Sequence, residues 1–284
     1  MNLKRPLCGL VENVPCLTFE LINVQYVDLA LSAYRERMQN HLTDLERLSI
    51  RERPSGQPLM HQNWGKLLFM HWRIEERLLR PLIPKGLEID TFDGSAWIAI
   101  APFTMWDIRA FPPFLPAVPG LSAMHELNVR TYVHFDRVPG VWFFSLDCNS
   151  AAAVFAARTF FHLPYYNADI ELEQEGKTID YGLSRTEDPP AEFSASWKTG
   201  DSLPYSHPGS LEFFLTERYC LYSENDREIH RSRIYHEPWP LQEASLVNFE
   251  ATMIESHGLP APTGDPLLHY AEKLSVEIWP LETL

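Results

Sequence analysis

No stretch of this chain reaches the ~18–20 consecutive apolar residues that a membrane-spanning helix requires. Its N-terminus also lacks a charged segment followed by an apolar core, so no export signal is expected. Basic residues are in deficit: 24 Lys and Arg against 38 Asp and Glu leave a formal net charge of −14. That balance removes the basic footprint that a nucleic acid or an anionic membrane surface needs. It does not exclude a small anion, because a few local arginines can overrule the global charge. Cysteine is scarce. Cys8, Cys16, Cys148 and Cys220 form no CxxC pair, so no disulfide framework is expected, and Cys148 sits in an apolar run that suits a buried thiol. There is no Asn-x-Ser/Thr acceptor, and the expected location is a reducing cytoplasm. Eleven histidines include no HExxH or HxH spacing, so no metal is expected. A Gly-rich phosphate loop, GxGxxG and GxSxG are all missing, which leaves nucleotide binding and a hydrolase serine without support. No cofactor is called for.

What is present is enough for a sizeable core: 284 residues, 45% of them hydrophobic. Two textures divide the chain. Between Tyr26 and Leu48, the residues Leu29, Tyr34, Met38, Leu42, Leu45 and Leu48 recur at three-to-four spacing among charged neighbours, which predicts an amphipathic helix. Pro54, Gly56 and Pro58 follow as a linker. The expected division is an extension over 1–54 and one domain over 55–284.

From Asn63 onward, short alternating runs predict strands at Ser95–Phe103, Glu126–Phe135, Val141–Cys148, Ala168–Glu175, Thr178–Arg185, Glu217–Ser223, Glu228–Tyr235, Glu243–Met253 and Leu274–Pro280. Helices are expected only near Glu75–Pro81 and over Ala151–Phe161, the latter with Ser150 as N-cap. Gly176 and Asn225-Asp226 mark hairpin turns. Prolines crowd the stretch from Arg109 to Ser122, which suits a long loop. Many strands without a βαβ rhythm favour an α+β, β-rich fold with an antiparallel sheet.

One strand carries the most chemistry. In the run from Glu126 to Phe135, the odd positions Leu127, Val129, Thr131, Val133 and Phe135 are nearly all apolar. The even positions Glu126, Asn128, Arg130, Tyr132 and His134 form a polar face with both signs of charge. In an open sandwich that face looks at water; in a closed barrel it lines a ligand cavity. Val141–Leu146 is apolar throughout and reads as a strand buried on both faces. A helix of small residues comes next, with Arg158 near its C-terminus, where a cation suits the helix dipole. It leads into His162-Leu163-Pro164-Tyr165-Tyr166.

These residues carry a family resemblance. Ile83 to Asp90, the Glu126–Arg130 strand, Ala157-Arg158, Leu163 to Tyr166, Leu211 to Tyr219 and His236 to Leu241 resemble the uncharacterised YqjF-like family (domain of unknown function 2071) in the acetoacetate decarboxylase-like superfamily. The likeness runs from about Asn63 to the C-terminus. It implies a strongly curved antiparallel sheet or cone-shaped barrel with peripheral helices. It also implies that Glu126 corresponds to a pocket-facing glutamate, and Arg158 to an arginine six residues ahead of a proline, here Pro164. Where the decarboxylases then have two lysines, one of which forms a Schiff base, this chain has Tyr165 and Tyr166. A phenol cannot form an imine, and Lys85, Lys177, Lys198 and Lys273 all lie in polar or turn contexts that leave their amines solvated.

The site expected from sequence is therefore Glu126 and Tyr165 as an acid/base pair, with Asn128, Arg130, Arg158 and Tyr166 binding a small molecule that is anionic or carbonyl-bearing. Chemistry without a Schiff base and non-catalytic binding or sensing both remain open, and so does the oligomeric state. Incubation with acetoacetate or pyruvate, reduction with borohydride and intact-mass measurement should give no adduct; a stoichiometric adduct on any lysine would contradict the loss of imine chemistry.

Overall fold

Strand β1, Met60–Ile74, runs through the middle of the sheet and is buried along most of its length. This computed structural model describes residues 42–110 and 123–284. The chain continues through a short helix α1 (Glu76–Leu79), β2 (Glu88–Ile89), β3 (Ala96–Ala110), β4 (Ala123–Phe135), β5 (Val138–Cys148) and helix α2 (Ala151–Phe160). Then come β6 (Tyr165–Glu175), β7 (Thr178–Arg185), β8 (Glu192–Ser202), helix α3 (Leu211–Thr216), β9 (Cys220–Asn225), β10 (Glu228–His236), β11 (Leu241–Ala251), β12 (Leu267–Ile278) and β13 (Glu282–Thr283). All strands belong to one sheet in the order β13-β10-β9-β5-β6-β7-β8-β11-β12-β1-β3-β4-β2. Two further pairings, β4 with β5 and β10 with β12, bend this sheet back on itself so that it closes partly into a ring. The pairing is antiparallel except where β5 runs parallel to β6 and to β9.

That curvature gives several strands an interior on both faces. On β1, Leu68, Met70 and Trp72 pack into one apolar cluster while Leu67 and Phe69 pack into another. On β4, Leu127, Val129 and Val133 join the first cluster, and Tyr132 points the other way into a third. Period-two alternation sorts the residues between the two interiors. It also explains why β1 escapes a search for polar/apolar alternation: a strand buried twice reads as a continuous apolar run. β8 and α3 are likewise absent from the sequence expectations.

The helix expected over Tyr26–Leu48 lies largely outside the described residues, as does most of the proline-rich stretch after Arg109. Its described end differs from the expectation. A separate helix, Asp44–Ser49, starts at an N-cap, Thr43, in a reciprocal capping box: Thr43 Oγ1 accepts from the Glu46 N–H at 3.3 Å, and the Glu46 carboxylate accepts from the Thr43 N–H at 2.7 Å. The inward face is carried by Leu42, Arg47 and Ile50, whereas Leu45 is 78% exposed. A buried arginine is invisible to an apolar periodicity count. Arg47 donates two bonds of 2.7 Å to the two oxygens of Asp90, which also accepts one of 2.7 Å from Arg218. Burial alone would raise the Asp90 carboxyl, but the two guanidiniums outweigh it and hold it below its usual range.

Residues Leu42–Leu284 form one compact unit. A chain beginning at residue 55 keeps every described strand and should fold, but without Arg47 the buried Asp90 carboxylate loses two hydrogen bonds and keeps Arg218 as its ion-pair partner. Hydrogen bonds to a buried charged group are worth about 1.5–3 kcal/mol, so urea unfolding should find 55–284 less stable than 42–284 by roughly that amount. Equal stability of the two fragments would show that Arg47 contributes nothing.

Candidate functional site

The even face of β4 does not look at water. Glu126, Asn128 and Arg130 line a cavity of about 180 Å³ together with Trp64, Leu67 and Phe103 from neighbouring strands. Helix α2 closes one wall with Ala153, Ala156 and Ala157, where small side chains let the helix approach closely. Arg218, His236 and Trp239 contribute from the segments around β9 and β10. No lysine lines this cavity among the described residues.

Register explains how the central pair forms. β4 runs antiparallel to β5, with Glu126 opposite Cys148 and Asn128 opposite Leu146, and β5 runs parallel to β6, with Leu146 level with Tyr165. Tyr165 therefore lands one strand beyond β5, on the face that Glu126 occupies. Its hydroxyl donates to Glu126 Oε2 at 2.7 Å. The next residue, Tyr166, points the opposite way. Its ring lies 4.1 Å from the Arg185 guanidinium, and Arg185 forms a fully buried ion pair with Asp147. Arg158 also stays outside the cavity: its Nε donates to the Tyr165 carbonyl at 2.7 Å, and its Nη2 pairs with Glu187 at 2.5 Å. Of the six residues expected from sequence, the structure gathers Glu126, Tyr165, Asn128 and Arg130 around the cavity. It places Tyr166 on the far side of the β6 wall, because consecutive residues on a strand face opposite ways, and Arg158 reaches that side from helix α2, 5.8 Å from the Tyr166 ring centre. In that position Arg158 anchors the backbone of Tyr165.

Arg218 is the cavity residue that sequence reasoning misses. It lies just past α3 rather than in a strand, with its Nε donating to the Phe214 carbonyl at 2.7 Å and Nη1 donating to Asp90. The available signal was the charged pair Glu217-Arg218 inside an otherwise apolar and aromatic run. Both residues are buried, and Glu217 accepts from the Tyr219 hydroxyl and from the Trp239 N–H at 3.0 Å.

Glu126 is only 2% exposed. Burial pushes its carboxyl up to about 7, with hydrogen bonds from Tyr165 and Asn128 opposing the rise and the charge of Asp147 adding to it. Burial and the adjacent Glu126 raise the Tyr165 phenol well above its usual value, so it stays a hydrogen-bond donor at any physiological pH. Cys148, on the same wall, is raised to about 12 by burial and remains a thiol, donating to the Met124 sulfur at 3.3 Å.

A curved sheet that closes partly into a ring around a cavity with a protonatable glutamate and, among the described residues, no lysine is the class of protein that fold and site define. The chain matches the model of a family described as an uncharacterised conserved protein (domain of unknown function 2071) over residues 61–275, and it belongs to that family. It is 43% identical over 228 residues to the uncharacterised protein YqjF of Bacillus subtilis (strain 168), a match covering 80% of this chain and 93% of the relative. Solved structures share the fold. The enduracididine biosynthesis enzyme MppR, complexed with the condensation product of pyruvate and imidazole 4-carboxaldehyde, gives a TM-score of 0.59 at 15% identity over 80% of this chain and 90% of that one. An acetoacetate decarboxylase-like enzyme from Sphingomonas wittichii RW1 gives 0.56 at 12% identity over 81% and 94%. Acetoacetate decarboxylase from Legionella pneumophila subsp. pneumophila str. Philadelphia 1 gives 0.54 at 13% over 81% and 88%.

The Glu126 shift has a consequence for stability. A carboxyl that titrates near 7 when folded, against about 4.5 unfolded, binds its proton more tightly in the native state. Its stabilising contribution is complete below pH 4.5 and is lost as pH rises through 7. Glu126→Gln mimics the protonated form and does not titrate. Urea unfolding at pH 5 and pH 8 should therefore show the variant gaining on the wild type as pH rises, by about 3 kcal/mol at most. A pH-independent difference would mean that Glu126 does not titrate in this window.

Proposed function

We propose that the protein binds a small carbonyl- or carboxylate-bearing molecule in this cavity and that Glu126 and Tyr165 move protons on it without a covalent imine. The carrying observation is the 2.7 Å bond between the Tyr165 hydroxyl and a glutamate pushed up to about 7. A group that titrates near neutrality exchanges protons in both directions with little driving force lost, which is what a general acid/base requires. With Glu126 ionised, its carboxylate is the base for a hydrogen next to a carbonyl, and the Tyr165 O–H, released as Glu126 takes up that proton, is the neighbouring donor for the oxygen that becomes negative. Support for a keto-acid-like ligand comes from the shared fold, since MppR has been solved with pyruvate.

The test is hydrogen exchange. A panel of 2-oxo and 3-oxo acids, 2-oxobutanoate among them, is incubated in D2O with the full chain and followed by proton NMR. Protein-dependent loss of the signal next to the carbonyl should rise with pH through about 7 and fall by about a hundredfold in Glu126→Gln. Saturable binding with no exchange on any compound would replace catalysis with ligand binding or sensing as the function.

A further inference from the structure

The cavity has a second polar pole. Arg218 is 5% exposed, and two of its three nitrogens are committed, Nε to the Phe214 carbonyl and Nη1 to Asp90. Its third nitrogen, Nη2, is buried without a hydrogen-bond partner among the described residues. Arg130 lines the same cavity, has a buried Nε without such a partner, and forms no ion pair among the described residues. Its guanidinium lies 5.1 Å from the Phe69 ring centre. Tyr132, between them on β4, feels the charge of both arginines, and its hydroxyl meets His71 Nε2 at 2.6 Å. His71 is held neutral by burial and by the same two arginines, so it offsets nothing. Arg47 and Arg218 thus share the single carboxylate of Asp90, and Arg130 adds a further positive charge that no ion pair among the described residues offsets. Burial lowers Arg218 to about 10, which leaves it fully charged at neutral pH.

We infer that Arg218 Nη2 and Arg130 form an anion subsite, and that the ligand is a monocarboxylate whose compact apolar body fills the rest of the cavity. A buried guanidinium N–H without an acceptor is costly, and a carboxylate is the partner whose two oxygens match two such donors. The size of the body follows from the volume. About 180 Å³ slightly exceeds the roughly 150 Å³ of a cavity that takes benzene. The remaining lining, including Trp64, Phe103, Met105, Phe143 and Trp239, offers apolar and aromatic surface and few further charges. This inference deepens the reading of the cavity as a ligand site. It is independent of the acid/base chemistry, because benzoate has no hydrogen next to a carbonyl that could be exchanged.

Benzoate and hexanoate, with benzyl alcohol and hexan-1-ol as uncharged counterparts, are titrated into the full chain by calorimetry. The carboxylates should bind saturably and each alcohol about tenfold more weakly or worse. Arg130→Gln should weaken benzoate by about tenfold and leave benzyl alcohol unchanged. Arg218→Lys keeps a charge beside Asp90 but removes the second arm of the fork, so it should do the same. If Arg218→Lys does not fold, as judged by circular dichroism, Arg130→Gln decides alone. A selective loss of benzoate in either folded variant supports the subsite. The inference is overturned if neither carboxylate binds saturably, if the alcohols bind as tightly, or if benzoate affinity survives in every folded variant.

Discussion

A sheet that bends back on itself into a partial ring gives its central strands no solvent face, and the rest of this structure follows from that constraint. A strand at water's edge can carry polar residues at little cost. Strand β4 cannot, because Leu127 and Val129 fill one interior and Glu126, Asn128 and Arg130 face another. A polar group there is costly unless it finds a partner or stays neutral. Glu126 does both: it accepts from the Tyr165 phenol and is pushed up to about 7. A site with an unusual proton affinity is a direct product of the curvature.

The buried charges divide into two kinds. Asp147 and Arg185 are fully enclosed and satisfy each other, with the Tyr166 ring stacked over the guanidinium, so they hold the far side of β6 in place without facing the cavity. Replacing such a pair by apolar residues is often neutral for stability, so the pair is weak evidence of a stabilising role. The arginines near Asp90 are different, because their donors outnumber the acceptors beside them and one set faces open space. Electrostatic imbalance is what separates a pocket wall from a structural strut here, and burial by itself does not.

The sequence was legible where period and punctuation agree. The Thr178–Arg185 strand lies where alternation puts it, and the helix after Ser150 starts at that residue because the serine caps it. The polar face of β4 could be read, but whether it met water or a cavity depends on long-range closure that no local pattern encodes. The Tyr165-Tyr166 pair shows a subtler limit. A family pattern marks both positions, yet alternation allows only one to enter the cavity, and choosing between them requires the register with β5. Arg47 and Arg218 were illegible for another reason. A buried arginine leaves no mark on hydropathy, and its partner Asp90 is separated from them by 43 and 128 residues.

The sharing of Asp90 has a reciprocal consequence. Its carboxylate is paired at once with Arg47 on the Asp44–Ser49 helix and with Arg218 on the cavity wall. The two guanidiniums also repel each other across it. An anion held at Arg218 would offset that repulsion, so by thermodynamic linkage occupancy of the cavity and docking of Asp44–Ser49 would favour each other to the same degree.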